Sequence, residues 1–157
     1  MALQTKGQII VSADSATAFA FVSDPLRIAQ CIPGCHDLRE ITPQRYSAVL
    51  TNKVAFLTLS FNVVVEVVKI DPPRMIEAKI TGQAIGPAGR VTALAGLEIS
   101  DAGPGRSEIR YSANVGLAGK LGGLGEPVFR AKSSQVAQEF ATNVKAAIEN
   151  SAKEISG

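Results

Sequence analysis

Residues 126–155 read EPVFRAKSSQVAQEFATNVKAAIENSAKEI, and the fold can be worked out from this stretch. Its large apolar residues recur mainly at intervals of four or seven, the spacing of one helix face: Phe129, Val136, Phe140, Val144 and Ile148. Pro127 suits the first turn of such a helix. At ~1.5 Å per residue, a helix of this length spans over ~40 Å. It is therefore long enough to cross an entire β-sheet.

The chain before this helix alternates apolar and polar residues with a period of two, from His36 to Val115. This alternation predicts an antiparallel sheet with one buried face and one solvated face. The strands are predicted at Leu3–Val11, Leu38–Thr42, Tyr46–Lys53, Phe56–Ile70, Met75–Ala84, Arg90–Ser100 and through Ile109–Val115.

Two short helices are predicted between the first strand and the second. Asp14 offers an N-cap for the first helix, and Asp24 followed by Pro25 offers a start for the next one. Pro33-Gly34 ends the second helix. The sequence thus predicts an α+β fold in one domain of residues 1–157. A curved antiparallel seven-stranded sheet wraps around a long C-terminal helix, with two short helices after strand 1.

The composition excludes several classes of protein. Hydrophobic residues make up 46% of the chain, enough to form a core, so intrinsic disorder is excluded. The net charge of +2 is too small to indicate nucleic-acid binding, and a single histidine excludes a His-rich metal centre. The first residues do not form a secretory signal, and no apolar run reaches the ~20 residues of a membrane span. A cytoplasmic protein is expected.

Small residues on the inner face of three late strands are the most informative feature: Ala78, Gly82, Ala84, Ala93, Ala95 and Ala113. A sheet packed directly on a helix needs larger residues there to reach native packing density. Long strands curve a sheet away from the helix, so the small residues predict an apolar cavity of ~300–1,000 Å³. Close packing of helix and sheet, with no cavity, is the alternative. The predicted lining is Leu59, Phe61, Val63, Val65, Ala78, Ile80, Gly82, Val91, Ala93, Ala95, Tyr111, Ala113, Phe129 and Phe140.

No catalytic residue and no metal ligand is predicted. Cys31 and Cys35 are four apart, whereas redox and zinc motifs use Cys-x-x-Cys, and no second half of a zinc motif follows. Both thiols are expected to be reduced and partly buried. His36 belongs to a residue type that titrates near neutral pH. Because the spacing identifies no partner for it, His36 is interpreted as a solvated loop histidine.

Three further features receive structural interpretations. The stretch Gly119–Gly125 does not have the spacing of a phosphate-binding loop, so a hinge or lid at the mouth of the fold is predicted. The strand carboxylates Glu66, Glu77, Glu98 and Glu108 fall on the outer face with Lys79, Arg90 and Arg110, which predicts cross-strand ion pairs. Tyr46 and Tyr111 are the candidate polar contacts for a ligand. The alternation places Tyr111 on the inner face, where a buried structural role is the alternative.

Several segments resemble the carbon monoxide dehydrogenase G-subunit family. The most specific is residues 19–35, FAFVSDPLRIAQCIPGC. The others are Tyr46-Ser-Ala, Asp71-Pro72-Pro73, Ala88-Gly89 and residues 119–125, GKLGGLG. The resemblance follows the chain in order over nearly its whole length. It implies the START-like, or Bet v 1-like, helix-grip fold, whose members bind apolar ligands between the sheet and the long helix.

The resemblance also implies a function. G-subunit proteins accompany molybdenum-containing carbon monoxide dehydrogenases and related hydroxylases, help attach them to the membrane and hand on electrons through a bound quinone. We therefore expect a non-enzymatic protein that binds a quinone-like or lipid-like molecule and requires no other cofactor. Its expected partner is a molybdenum hydroxylase, and the protein is expected to associate peripherally with the inner face of the membrane. Two alternatives stay open: a small enzyme of the cyclase or hydratase kind, and a protein-interaction module for hydroxylase assembly.

Overall fold

The computed structural model describes residues 2–54, 57–85, 89–119 and 125–156, with side chains as far as residue 151. The elements follow in the order β1 (Ala2–Val11), α1 (Ser15–Val22), α2 (Pro25–Cys31), β2 (Cys35–Thr42), β3 (Arg45–Val54), β4 (Leu57–Asp71), β5 (Met75–Ala84), β6 (Gly89–Asp101), β7 (Ser107–Gly119) and α3 (Glu126–Ser156). The predicted α+β element order is confirmed.

All seven strands form one sheet in the order β1-β7-β6-β5-β4-β3-β2, and every neighbouring pair is antiparallel. One prediction about β2 is wrong, because this strand begins at Cys35 rather than at Leu38. Cys35 pairs with Leu50, and the Thr51 N–H donates to the Gly34 carbonyl at 2.9 Å. His36 therefore lies in a strand and not in a loop.

Side-chain caps fix the two short helices. The Asp14 carboxylate accepts a hydrogen bond from the Thr17 N–H at 2.8 Å, and this bond lowers the pKa of Asp14. Asp24 caps α2 in the same way, with the Leu26 N–H at 3.1 Å. The two helices form a short connection that carries the chain from edge strand β1 across to edge strand β2.

Buried residues form two separate clusters. The first core cluster joins α1, α2 and the C-terminal half of α3: Val11, Ala13, Ala18, Phe19, Phe21, Val22, Cys31, Ile99, Ile109, Val144 and Ile148. The second core cluster surrounds the start of α3: Leu3, Ala48, Val54, Leu59, Phe61, Val63, Leu117 and Phe129. Phe129 and Val144 are fifteen residues apart, so the clusters grip α3 at points about 22 Å apart along its axis.

Candidate ligand-binding site

The middle of α3 faces the sheet without joining either cluster. Between Phe129 and Val144, Ala141 is the one fully buried residue, and five others are half-buried: Lys132, Ser133, Val136, Ala137 and Phe140. Of these, Phe140 packs against the first core cluster. The helix is therefore held at both of its ends, while its central turns remain partly exposed on the side that faces the sheet.

The sheet presents a matching row of small residues on its inner face. Residues paired across five neighbouring strands form this row, from β1 to β4: Thr5, Ala113, Ala95, Ala78 and Val67. Every member is half-buried, and none belongs to either core cluster. We call these five residues the alanine row. Inward-pointing residues at the centre of a sheet are normally covered, so their exposure indicates unfilled space.

The residues beside the alanine row show where this space ends. On one side, Leu97 and Ile76 pack against the first core cluster. On the other side, Ile80 and Val115 pack against the second core cluster. We call the space between the alanine row and the middle of α3, which lies between the two core clusters, the trough.

A groove of about 450 Å³ lies between β1 and α3, lined by Ala2, Leu3, Gln4, Thr5, Lys6, Arg130, Ser133 and Ser134. Thr5 belongs to the alanine row and Ser133 to the central turns of α3, so the groove meets the trough at these two residues. Its volume lies within the ~300–1,000 Å³ range of ligand pockets.

The predicted lining residues divide into two groups. Those that face the trough are half-buried: Val65, Ala78, Ala93, Ala95, Tyr111 and Ala113. Leu59, Phe61, Val63 and Phe129 are buried in the second core cluster, and Ile80 and Val91 pack against it. Phe140 packs against the first core cluster. The second group closes the ends of the trough rather than forming its floor.

Gly82 was predicted to leave space at the floor of the cavity because it has no side chain, but it does not. A Cβ atom added there would lie 3.1 Å from Cγ1 of Val63 and 3.7 Å from Cβ of Val91. The residue is buried, so Val63 already fills this position. Of the other small residues predicted on the inner face, Ala78, Ala93, Ala95 and Ala113 lie outside both clusters, whereas Ala84 packs against the second one.

Tyr111 is the main polar side chain at the trough. It pairs with Gly7 across β7 and β1, and its ring lies over that glycine, because an added Cβ at Gly7 would overlap the ring and hydroxyl. Among the described residues, no hydrogen-bond partner of the Tyr111 hydroxyl is found. Sequence reasoning missed Thr5 and Gly7, although the alternation of Leu3, Ile9 and Val11 placed both on the inner face.

Tyr46, the other predicted polar contact, is already engaged. Its hydroxyl donates to the Pro43 carbonyl at 2.7 Å, which closes the turn between β2 and β3. Burial, together with the Glu40 and Asp24 carboxylates, raises the pKa of Tyr46. This tyrosine therefore supports the turn and is not free to contact a ligand.

The cysteines are free thiols on opposite sides of the trough. Cys31 lies in the first core cluster and Cys35 packs against the second. Burial raises the pKa of both thiols. In the part of the chain that the structure describes, no group of three or more His, Cys, Asp and Glu side chains could hold a metal ion.

On the outer face, the register places Glu66 opposite Lys79 and Glu98 opposite Arg110. The ion pair that forms at 2.6 Å joins Arg110 to Glu108 within β7. No described helix is long and apolar enough to cross a membrane. Residues 120–124 of the predicted hinge lie outside the described residues.

This architecture defines a helix-grip protein of the START and Bet v 1-like class. Its topology matches that of a conserved protein from Geobacillus kaustophilus, with a TM-score of 0.85 and 22% identity over 95% of this chain and 97% of that one. A START superfamily protein from Mycobacterium smegmatis matches with a TM-score of 0.70 and 12% identity, over 94% and 97% of the two chains. The Zhui aromatase/cyclase from Streptomyces sp. R1128 matches with a TM-score of 0.66 and 15% identity, over 95% of this chain and 94% of that one.

The family follows from the sequence. The model of the carbon monoxide dehydrogenase G-subunit family (CoxG) matches residues 7–149, and the chain belongs to this family. The resemblance seen in residues 19–35 and the later segments is thereby confirmed. A comparison with curated proteins finds no match.

Proposed function

We propose that this protein is a carrier that holds a quinone-like or lipid-like molecule in the trough and serves a molybdenum hydroxylase such as carbon monoxide dehydrogenase. The observation that carries the proposal is that the alanine row is half-buried and lies between two core clusters of buried residues. The family supports the hydroxylase as the partner, because its description names a component of carbon monoxide dehydrogenase.

The lining favours a ligand with a substantial apolar part. Micromolar affinity corresponds to about −8.2 kcal/mol. At about 25 cal/mol per Å² of apolar surface, it requires more than about 330 Å² of burial even before the cost of association. A small polar metabolite does not offer this area, whereas a prenyl or acyl tail does. The tail would lie along the alanine row.

The polar end of the ligand would lie on the β1 side. The Tyr111 hydroxyl can donate a hydrogen bond to a carbonyl oxygen, and Thr5 and Ser133 supply further hydroxyl groups at the meeting point of trough and groove. A quinone carbonyl or a lipid ester carbonyl fits these donors. Replacing Tyr111 with Phe would then weaken binding by the worth of one hydrogen bond, about 0.5–1.5 kcal/mol.

The test is ligand binding with a matched pair of variants. Native mass spectrometry of the purified protein, followed by titration with decylubiquinone and with a fluorescent fatty acid, measures occupancy and affinity. Ala95→Phe places a ring on the alanine row and should abolish binding. Leu94→Phe places the same ring on the adjacent, outward-facing and exposed position and should leave binding unchanged. Wild-type protein that binds neither probe at micromolar concentration would refute the carrier proposal.

The alternatives predict other outcomes. One structural neighbour is named as an aromatase/cyclase, so an enzyme would convert a bound polyketide-like substrate, and Tyr111→Phe would reduce turnover rather than binding. A pure interaction module would serve the hydroxylase equally well as wild-type protein and as Ala95→Phe. A carrier role predicts instead that Ala95→Phe does not support electron transfer from the hydroxylase to added quinone, even where the hydroxylase captures the variant.

A further inference from the structure

A chain of hydrogen bonds crosses three strands on the outer face of the sheet, away from the trough. Nδ1 of His36 lies 2.9 Å from Oδ2 of Asp37, and Nε2 lies 3.1 Å from Oγ1 of Thr51. Oγ1 of Thr51 lies 3.0 Å from Oγ of Ser60. His36 is on β2, Thr51 on β3 and Ser60 on β4, so the sheet brings together residues that are distant in the sequence.

The chemistry of the groups determines which of them donates and which accepts in each of these hydrogen bonds. An ionised carboxylate only accepts hydrogen bonds, so Nδ1 of a neutral His36 carries the proton and donates it to Asp37. Nε2 is then an acceptor, and the Thr51 hydroxyl must donate to it. The oxygen of Thr51 in turn accepts from Ser60. This is the arrangement of an orienting carboxylate, a general base and a nucleophilic hydroxyl.

The backbone at Asp37 is unusual. Its φ angle is +55°, and it is the only non-glycine residue with positive φ among those described. The pairing of β2 with β3 shifts register between His36 and Arg39, which marks a bulge at this point. Such a conformation costs of order 1–3 kcal/mol, and bulges of this kind often reorient side chains beside functional sites. Here the bulge coincides with the contact between Asp37 and His36.

We propose that Thr51, His36 and Asp37 form an acyl-transfer site, with small activated acyl esters as its substrate class. Oγ1 of Thr51 attacks the carbonyl carbon while Nε2 of His36 takes the hydroxyl proton. The new C–O bond forms, the bond to the alcohol leaving group breaks, and His36 returns the proton to that alcohol. Water, deprotonated by His36, then releases the acyl group as a carboxylic acid. No oxidant or reductant takes part.

The surroundings fit such a substrate. The side chains of His36 and Asp37 are 51% and 68% exposed, so an ester can approach from solvent. Thr51 and Ser60 are half-buried and pair with each other across β3 and β4, which holds the nucleophile in place. Thr51 and His36 are the catalytic residues, because they touch the reacting atoms, and Asp37 is a positioning residue.

The experiment treats the full-length protein with p-nitrophenyl acetate and quantifies acetylation residue by residue by peptide mass spectrometry. General base catalysis contributes typically 10²–10⁴-fold, so Thr51 should be acetylated at least about 100-fold faster than a matched threonine. Thr58 is that control, because it is exposed on the outward-facing side of β4, two residues from Ser60. Thr51→Val should remove the fast site, whereas Thr58→Val should leave it unchanged.

His36→Gln and Asp37→Asn separate chemistry from structure. Both residues are exposed, and asparagine tolerates positive φ, so both variants should unfold at the wild-type temperature. His36→Gln should lower Thr51 acetylation at least about 100-fold. Asp37→Asn removes the negative charge that faces Nδ1 of His36, so it should lower the rate of Thr51 acetylation while the unfolding temperature stays unchanged.

Two results would overturn the proposal. One is equal acetylation of Thr51 and Thr58 in the wild-type protein. The other is fast acetylation of Thr51 that persists in His36→Gln, since the imidazole would then not be the base.

Discussion

Ala95→Phe tests whether the alanine row borders open space or is covered by α3. Ala95 lies at the centre of the row, between Ala78 on β5 and Ala113 on β7. All three are half-buried and lie outside both core clusters. A phenylalanine side chain at this position points into the trough. In open space it gains apolar contacts, whereas under a closely packed helix it causes overpacking.

The two cases differ in the sign of the stability change. If about 100 Å² of additional ring surface leaves water, about 25 cal/mol per Å² gives about 2.5 kcal/mol. Loss of side-chain freedom reduces this gain by about 0.5–1 kcal/mol. The net stabilisation of about 1.5–2 kcal/mol raises the melting temperature by about 3–8 °C in a domain of this size. Overpacking would instead destabilise the protein by about 1–3 kcal/mol.

Urea denaturation followed by circular dichroism gives the free energy of unfolding directly. Leu94→Phe is the control on the outer face, and its effect should stay within about 0.5 kcal/mol. A loss of more than about 1 kcal/mol in Ala95→Phe, with Leu94→Phe unchanged, would refute the trough. The small residues would then serve close packing of the helix.

Three further outcomes are expected. Gly7→Ala should destabilise the protein by about 1–3 kcal/mol, because the added Cβ displaces the Tyr111 ring. This loss of stability should largely disappear in a Tyr111→Ala background. Equal losses in both backgrounds would contradict the contact between Gly7 and Tyr111. Glu149→Gln should lower the free energy of unfolding at pH 7 by about 0.5–1.5 kcal/mol, since the Ser12 N–H donates to the carboxylate at 2.9 Å. This hydrogen bond, more than the nearby lysine, lowers the pKa of Glu149. The stability difference between Glu149→Gln and wild type should therefore vanish as pH falls through that pKa. A stability difference that does not change with pH would contradict the role of the carboxylate. Cys31 should react with a disulfide reagent more slowly in the native protein than in urea, because burial raises its pKa, and equal rates would show an accessible thiol.

The fold was predictable because its signals are local. Period-two alternation and the apolar stripe of α3 depend on residues a few positions apart, and each fixes a buried face. The start of β2 was mispredicted for the opposite reason. The strand begins at Cys35 because of its pairing with Leu50 on β3, and no pattern within residues 35–38 reports this contact.

The candidate sites show the same limit. The alternation placed the alanines of three strands on one face, but their alignment in a single row depends on the register between strands. The register also explains why Gly82 contributes no space, since it pairs with Val63. His36 could not be given a partner from the sequence because Thr51 is fifteen residues away and on another strand.

The separation of the core into two clusters reconciles a stable fold with the proposed trough. An uncovered alanine row contributes little to stability, because it buries little apolar surface. The clusters at either end supply that burial instead, and each holds its own part of α3. A carrier built this way can change what occupies the trough without changing what holds the helix in place. A continuous core under the whole of α3 would stabilise the protein more, but a ligand could enter only by separating the helix from the sheet.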